Sequence, residues 1–341
     1  MLDERKQRIL QAIINDYIST AEPIGSRTIA RKYDLGVSPA TIRNEMADLE
    51  MLGYLEQLHT SSGRIPSSKG YRFYVDDLLP PEAMTDNEIA LIEKWYRAKV
   101  KRAEEVFQET AKIISRMTKN ISLVLAPQLS QAAFRSLQFL PLDSNRVIAV
   151  IMTDAGFVEN KIITMPDGAR FDDFQRMARV INTCLVGQTL DSIKMTSLQR
   201  IKDEIMDNSL YEAALEVIRR ALDTEKKERL FLGGTTQLLN QPEFKDVEKV
   251  KNILLMLEEE QLMRDILHTH RGEGLAVTIG HENTYSGIQD CSIITATYHL
   301  DGELLGTIAV LGPTRMEYGK VMSLLNYINS NLAEVIKQFR W

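Results

Sequence analysis

Gly36-Val37-Ser38-Pro39-Ala40-Thr41-Ile42-Arg43-Asn44-Glu45-Met46-Ala47-Asp48-Leu49-Glu50 is the stretch on which the reading of the fold turns. Serine followed by proline predicts a helix start. The Ser38 side chain can accept from the free N–H groups of the first turn, and Pro39 takes the first helical position, where its missing N–H costs nothing. Ile42, Met46, Leu49 and Leu52 follow at steps of four, three and three, which predicts one buried stripe. Gly53 closes the helix, and Gly36 ahead of it suits the left-handed conformation of a tight turn. Upstream, Gly25-Ser26 opens a short helix, with Ser26 expected as its N-cap and Ile29, Ala30 and Tyr33 turned inward. Before that, residues 2–20 read as a helix on Ile9, Ile13 and Tyr17, ending ahead of Glu22-Pro23 because proline disfavours helix in the residue before it.

Helix, short helix, glycine turn and capped helix is the helix-turn-helix order. The third helix is then the recognition helix, with its first turns expected in the major groove of DNA. Ala40, Thr41, Arg43 and Asn44 point away from the buried stripe. Arginine can fork onto guanine and asparagine onto adenine. Alone, Arg43 would read as a solvated surface charge; the helix order favours the DNA role. Residues 54–58 alternate like a strand, His59-Thr60-Ser61-Ser62-Gly63-Arg64-Ile65-Pro66 forms a loop, and residues 71–75 return as a strand or enter a helix. Together they predict a wing, with Arg64 at its tip in the minor groove or on phosphate, and Ser61, Ser62 and Lys69 donating to phosphates. The full candidate set for DNA contact is Ser26, Arg27, Thr28, Ser38, Ala40, Thr41, Arg43, Asn44, His59, Thr60, Ser61, Ser62, Gly63, Arg64 and Lys69.

Composition is compatible with this reading. The net charge of −6 does not advertise a nucleic-acid binder, but residues 57–75 carry Arg64, Lys69 and Arg72 and no acid, and distribution matters more than the total. At 341 residues, two or three domains are expected. No apolar run approaches the roughly 18 residues a membrane span needs, and the charged start lacks a signal-peptide core, so a cytoplasmic protein is expected. The two cysteines, Cys184 and Cys291, argue against a disulfide scaffold or a cysteine-ligated zinc.

The strings Gly25-Ser26-Arg27-Thr28-Ile29-Ala30, residues 37–50, Gly53-Tyr54-Leu55, residues 59–66 and Gly70-Tyr71-Arg72 closely resemble the heat-inducible transcription repressors of the HrcA type. A generic helix-turn-helix would share the turn and the cap, but not the wing string. Order and length fit that family across the rest of the chain. The resemblance implies an α+β protein: an N-terminal winged helix-turn-helix, a GAF-like α/β domain and an inserted α+β dimerisation domain. It implies a homodimer on an inverted-repeat, double-stranded operator upstream of chaperone genes, kept active by a GroEL-type chaperonin. No cofactor, membrane partner or enzymatic activity is expected.

Beyond Pro80-Pro81, Thr85 is expected to cap one long helix reaching about residue 120. A strand at 122–126 precedes strand-like runs at 134–140, 146–153 and 157–165, whose turns suit an antiparallel meander. Helical patterns cover 170–185, 193–206, 209–222 and 243–268. Strands are expected at 230–232, 275–279, 292–298 and 304–311, with Asp301-Gly302 turning the last pair and a closing helix at 317–338. The expected division is 1–79 winged helix, 80–129 connecting helix and first part of the GAF-like domain, 130–222 insert, and 223–341 second GAF-like part. The resemblance, and not the pattern, supplies the insertion.

Four stretches invite a chemical assignment and lack the support for it. His268-Thr269-His270 and His281-Glu282 have no accompanying cluster at ligand spacing. Gly272-Glu273-Gly274 and Gly233-Gly234 belong to no phosphate-loop pattern. Two rival readings remain: a metabolite-responsive repressor sensing a ligand in the GAF-like domain, and an enzyme with a DNA-binding appendage.

Overall fold

The computed structural model describes residues 2–57, 63–99, 103–126, 133–153, 158–166, 168–189, 193, 195–205, 211–212, 215–216, 229–269, 274–300 and 303–337. Two compact units emerge: Met1–Ala98 with Gln108–Val124 and Leu230–Asn331, and Lys99–Phe107 with Leu125–Arg229 and Leu332–Trp341.

The first unit opens with α1 (Glu4–Thr20), α2 (Ser26–Lys32) and α3 (Pro39–Met51). Asp3 caps α1 by accepting from the Lys6 N–H, and Ser38 caps α3 by accepting from Thr41 N–H at 3.2 Å. Ile9, Ile13, Ile29, Ile42 and Leu49 are fully buried and form the core of this trihelical head. Gly36 and Gly53 take the positive φ their turns demand, at 67° and 79°. The cap of α2 falls on Gly25, without a side-chain bond, and Ser26 is the first helical residue. Leu52 does not complete the buried stripe. It lies just past the end of α3 and is 47 % exposed.

The wing is shorter than its sequence pattern. β1 (Leu55–Glu56) pairs antiparallel with β2 (Ile65–Pro66), Leu55 opposite Pro66 and Glu56 opposite Ile65. The return strand is therefore β2. Residues 71–75 fall in α4 (Ser68–Phe73) and the wider π turn Tyr74–Leu78 that continues it. Ser67 makes this switch by accepting from Gly70 N–H at 3.0 Å while donating to the Gly53 carbonyl at 2.6 Å.

Thr85 caps α5 (Asp86–Lys99) reciprocally, its N–H and hydroxyl both donating to Glu88 Oε2, and α6 (Ala103–Thr118) follows. A single long helix is ruled out by one contact. The Tyr96 hydroxyl lies 2.6 Å from Thr110 Oγ1, whereas residues fourteen apart on a straight helix are about 21 Å apart along the axis. The second helix doubles back on the first, and Arg116 lies over the Trp95 ring.

The same unit holds a five-stranded sheet ordered β7-β3-β10-β9-β8, from Leu230–Gly233, Ile121–Leu125, Glu303–Pro313, Cys291–Leu300 and Leu275–Ile279. β10 runs antiparallel to β9, and β9 to β8. Helices α9 (Val247–Glu258) and α10 (Glu260–Thr269) precede β8, and α11 (Tyr318–Lys337) ends the described chain. Gly233-Gly234 is a close-packing site: a Cβ on Gly233 would stand 2.4 Å from the Ala111 carbonyl oxygen, and one on Gly234 would meet the Ser115 side chain.

In the second unit β4 (Phe134–Pro141), β5 (Arg146–Thr153) and β6 (Val158–Thr164) form the expected antiparallel meander. α7 (Phe171–Leu185) covers one face, where Phe174 meets Phe139 edge-on at 5.1 Å. The Asn182 amide mimics a strand, accepting from Leu137 N–H at 2.7 Å and donating to its carbonyl at 3.1 Å. α8 (Met195–Glu204) packs on α7. The helix expected at 209–222 lies mostly outside the described residues, and the Asp301-Gly302 turn lies outside them entirely.

Candidate nucleic-acid interface

The recognition helix presents an exposed edge because its other faces are occupied. Ile42, Met46 and Leu49 are buried. Beside them, Glu45 is nearly buried and receives Lys6 Nζ at 2.7 Å and Arg5 Nη1 at 3.4 Å, both from the first turns of α1. Lys6 also reaches Asp48 at 3.2 Å and Asp3 at 3.2 Å. Glu45 first, then the two aspartates, hold the Lys6 ammonium charged well above its ordinary range. These contacts leave Ala40, Arg43 and Asn44 exposed and Thr41 half-exposed at the outer edge of the first two turns. Among the described residues neither Arg43 nor Asn44 makes a side-chain hydrogen bond or ion pair.

The remaining candidates divide. Arg27 is exposed on α2, with Ser26 and Thr28 half-exposed beside it. Ser38 spends its hydroxyl on the cap and on Thr41 Oγ1 at 3.0 Å. Lys69 donates to the Leu52 carbonyl at 2.8 Å and lies 4.5 Å from the centre of the Tyr54 ring, so its charge caps the C-terminal end of α3. His59, Thr60, Ser61 and Ser62 lie outside the described residues. Gly63 packs so tightly on the Ile24 backbone that a Cβ there would stand 2.5 Å from the Ile24 carbonyl. Arg64 is not at the tip of the wing. With a return strand of only two residues it falls at the base, where its N–H donates to the Ile24 carbonyl at 2.8 Å and its Nε lies 2.6 Å from Glu50 Oε2.

Sequence reasoning missed the residues that seat this head on the rest of its unit. Arg72 donates to Glu282 Oε1 at 2.8 Å, to the Val277 carbonyl at 2.6 Å and to Asp76 at 3.1 Å. Arg315 donates to the Ile18 carbonyl at 2.5 Å and to Glu243 at 2.6 Å. Tyr71, fully buried, lies 5.9 Å from Tyr318, whose hydroxyl is bonded to Ser292 and Thr314. The one sequence hint was the Tyr71-Arg72 pair in the family-like string. Glu282, which sequence alone leaves beside His281 as a stray metal-ligand pair, is the partner of Arg72. Among the described residues no three His, Cys, Asp or Glu side chains gather to hold a metal ion.

A profile described as the winged helix-turn-helix transcription repressor, HrcA DNA-binding, matches residues 1–75, and one described as the HrcA protein C terminal domain matches residues 104–322. The chain belongs to the HrcA family. Heat-inducible transcription repressors HrcA from Pelotomaculum thermopropionicum and Desulfitobacterium hafniense are 44 % and 45 % identical to it, covering 99 % and 98 % of the chain and 97 % and 98 % of their own lengths. That from Moorella thermoacetica is 42 % identical, covering 99 % of the chain and 98 % of itself. A crystal structure titled as a hypothetical protein superposes with a TM-score of 0.67 at 23 % identity, over 99 % of this chain and 98 % of that one, which shows a shared fold.

Membership makes this a heat-inducible transcription repressor with a DNA-binding winged helix, in a family that is not a class of enzymes. No helix among the described residues is long and apolar enough to cross a membrane.

Proposed function

We propose that a homodimer of this chain binds an inverted-repeat operator upstream of chaperone operons and blocks their transcription, with Arg43 and Asn44 reading base edges in each half-site. The observation that carries this is the outer edge of the Ser38-capped helix, where both side chains stand exposed and uncommitted. Arg27 and the wing residues 59–62 would add phosphate contacts, and Ser26, Thr28, Thr41 and Ala40 would line the surface beside them. Lys69 and Arg64 would act by shaping the head.

The domain division proposed is 1–79, 80–129, 130–222 and 223–341, the third being the dimerisation insert. A compact unit built mainly of Leu125–Arg229, with Lys99–Phe107 and Leu332–Trp341 added, supports an insert of about this extent, as does an uncovered row on the meander. Leu140, Ile148 and Ile162 face one another across the strands, and Ile162 is 54 % exposed. An apolar sheet face open to water favours a second copy. A chromosomal target implies the cytoplasm. A GroEL-type chaperonin would keep the repressor active until heat-damaged proteins occupy it.

The test is a footprint of the purified protein on DNA upstream of its host's chaperonin genes, against an unrelated promoter. Two symmetric protected half-sites are expected. No protection, with chaperonin added, refutes the proposal and leaves the metabolite-responsive reading to be tried with a metabolite panel.

A further inference from the structure

The recognition helix carries one cation, Arg43, and three carboxylates, Glu45, Asp48 and Glu50. A helix that approaches phosphates cannot leave such carboxylates bare, because each repels the backbone it must approach. Glu45 and Asp48 turn toward α1, where Lys6 holds both. Glu50 does not. It follows Arg43 by seven residues, two helical turns, and so lies on nearly the same face, about 10 Å further along the axis. Its counter-charge comes from the wing, in the ion pair with Arg64 at 2.6 Å.

Arg64 is fixed from several directions. Its N–H donates to the Ile24 carbonyl at 2.8 Å, and its carbonyl accepts from the Ile24 N–H at 2.9 Å. Gly63 before it is packed on the Ile24 backbone, and Ile65 after it pairs with Glu56. Its side chain is only 21 % exposed. The start of the helix-turn-helix, the wing and the far end of the recognition helix therefore meet at one arginine.

We infer that Arg64 and Glu50 are a positioning pair. The pair locks the base of the wing to the recognition helix, fixing the spacing between the groove-reading edge and the wing while neutralising the carboxylate that shares the reading face. Arg64 thereby governs operator specificity without serving as a phosphate contact. This rests on the reading of Arg43 and Asn44 as the base-reading edge.

The two roles give opposite signs for one variant. Glu50→Gln and Arg64→Gln, with the double exchange Glu50→Arg/Arg64→Glu, are compared with wild type by mobility shift over a range of salt, on operator DNA and on unrelated duplex. Thermal melting checks the fold. A positioning pair predicts that Glu50→Gln loses about tenfold on the operator while changing unrelated-DNA binding less than about threefold, that Arg64→Gln, which also bares Glu50, loses at least as much on the operator and weakens unrelated DNA too, and that the exchange recovers most of the operator loss. If Arg64 contacts phosphate, Glu50→Gln frees it and removes a repelling charge, so both DNAs bind more tightly with a steeper salt slope; that result overturns the inference. So does an exchange that folds and recovers nothing. Failure of wild type to prefer the operator would instead strike the underlying reading of the recognition helix.

Discussion

Arg72 grips both carboxylate oxygens of Glu282 across 210 residues of sequence and joins the last helix of the winged head to the edge of the five-stranded sheet. Burial pushes the Glu282 pKa up. The Arg72 hydrogen bonds and the Ile279 N–H outweigh it, and the net shift is downward from 4.5. A depressed carboxylate pKa adds stability that is complete above the unfolded value and fades as pH falls through the folded one. Glu282→Gln should therefore lower the first thermal transition at neutral pH by about 0.5–1 kcal/mol, the screened value of a pair open to water. The gap from wild type should hold down to about pH 5.5 and close below 4.5. Melts from pH 3 to 7 measure it, and a gap that widens on acidification contradicts the assignment.

Arg43→Ala and Asn44→Ala should each cost about 1–3 kcal/mol on the operator and relax preference at one base pair per half-site. Binding to an array of single-base operator variants reads this directly. A uniform loss on every sequence would make the residue a phosphate contact.

Gly63→Ala sets a Cβ 2.5 Å from the Ile24 carbonyl, a backbone atom with no rotamer to yield. The winged head should lose about 1–3 kcal/mol, the usual range for overpacking. Gly25→Ala meets no atom within 4 Å, so differential scanning calorimetry should find it the milder of the two.

Ile162→Lys puts a charge on the uncovered row of the meander, away from the Phe139–Phe174 core. Sedimentation should show monomer where wild type sediments as dimer, with operator affinity falling alongside. A variant that remains dimeric would move the interface elsewhere.

The parts of this protein legible in its sequence are those decided within a few residues. The Ser38-Pro39 cap, the Gly36 and Gly53 turns and the meander strands depend on neighbours close in the chain, and each formed where expected. The sequence puts Arg64 at the tip of the wing and the structure puts it at the base, because glycine-rich spacing says where a loop is but not how few residues return from it. The helix pair 86–118 looks like one rod in sequence because its apolar repeat runs on through the reversal, and contacts such as Tyr96–Thr110 and Trp95–Arg116 reveal the fold-back. Arg72 and Arg315 look like ordinary surface cations until Glu282, Val277, Ile18 and Glu243 arrive from distant segments.

The bond from Arg315 to the Ile18 carbonyl sets an order in time. Ile18 leaves the ribosome 297 residues ahead of its partner, an interval of about 15–60 s at bacterial elongation rates. Throughout it the end of the first helix lacks its acceptor's partner, and Tyr71 has no Tyr318 to rest on. A messenger cut short, or a nascent chain abandoned in that interval, yields every DNA-reading residue without the seat that steadies them. The seat of the reading head is thus the last part of it to be made, although the core of the head itself is complete within the first 75 residues.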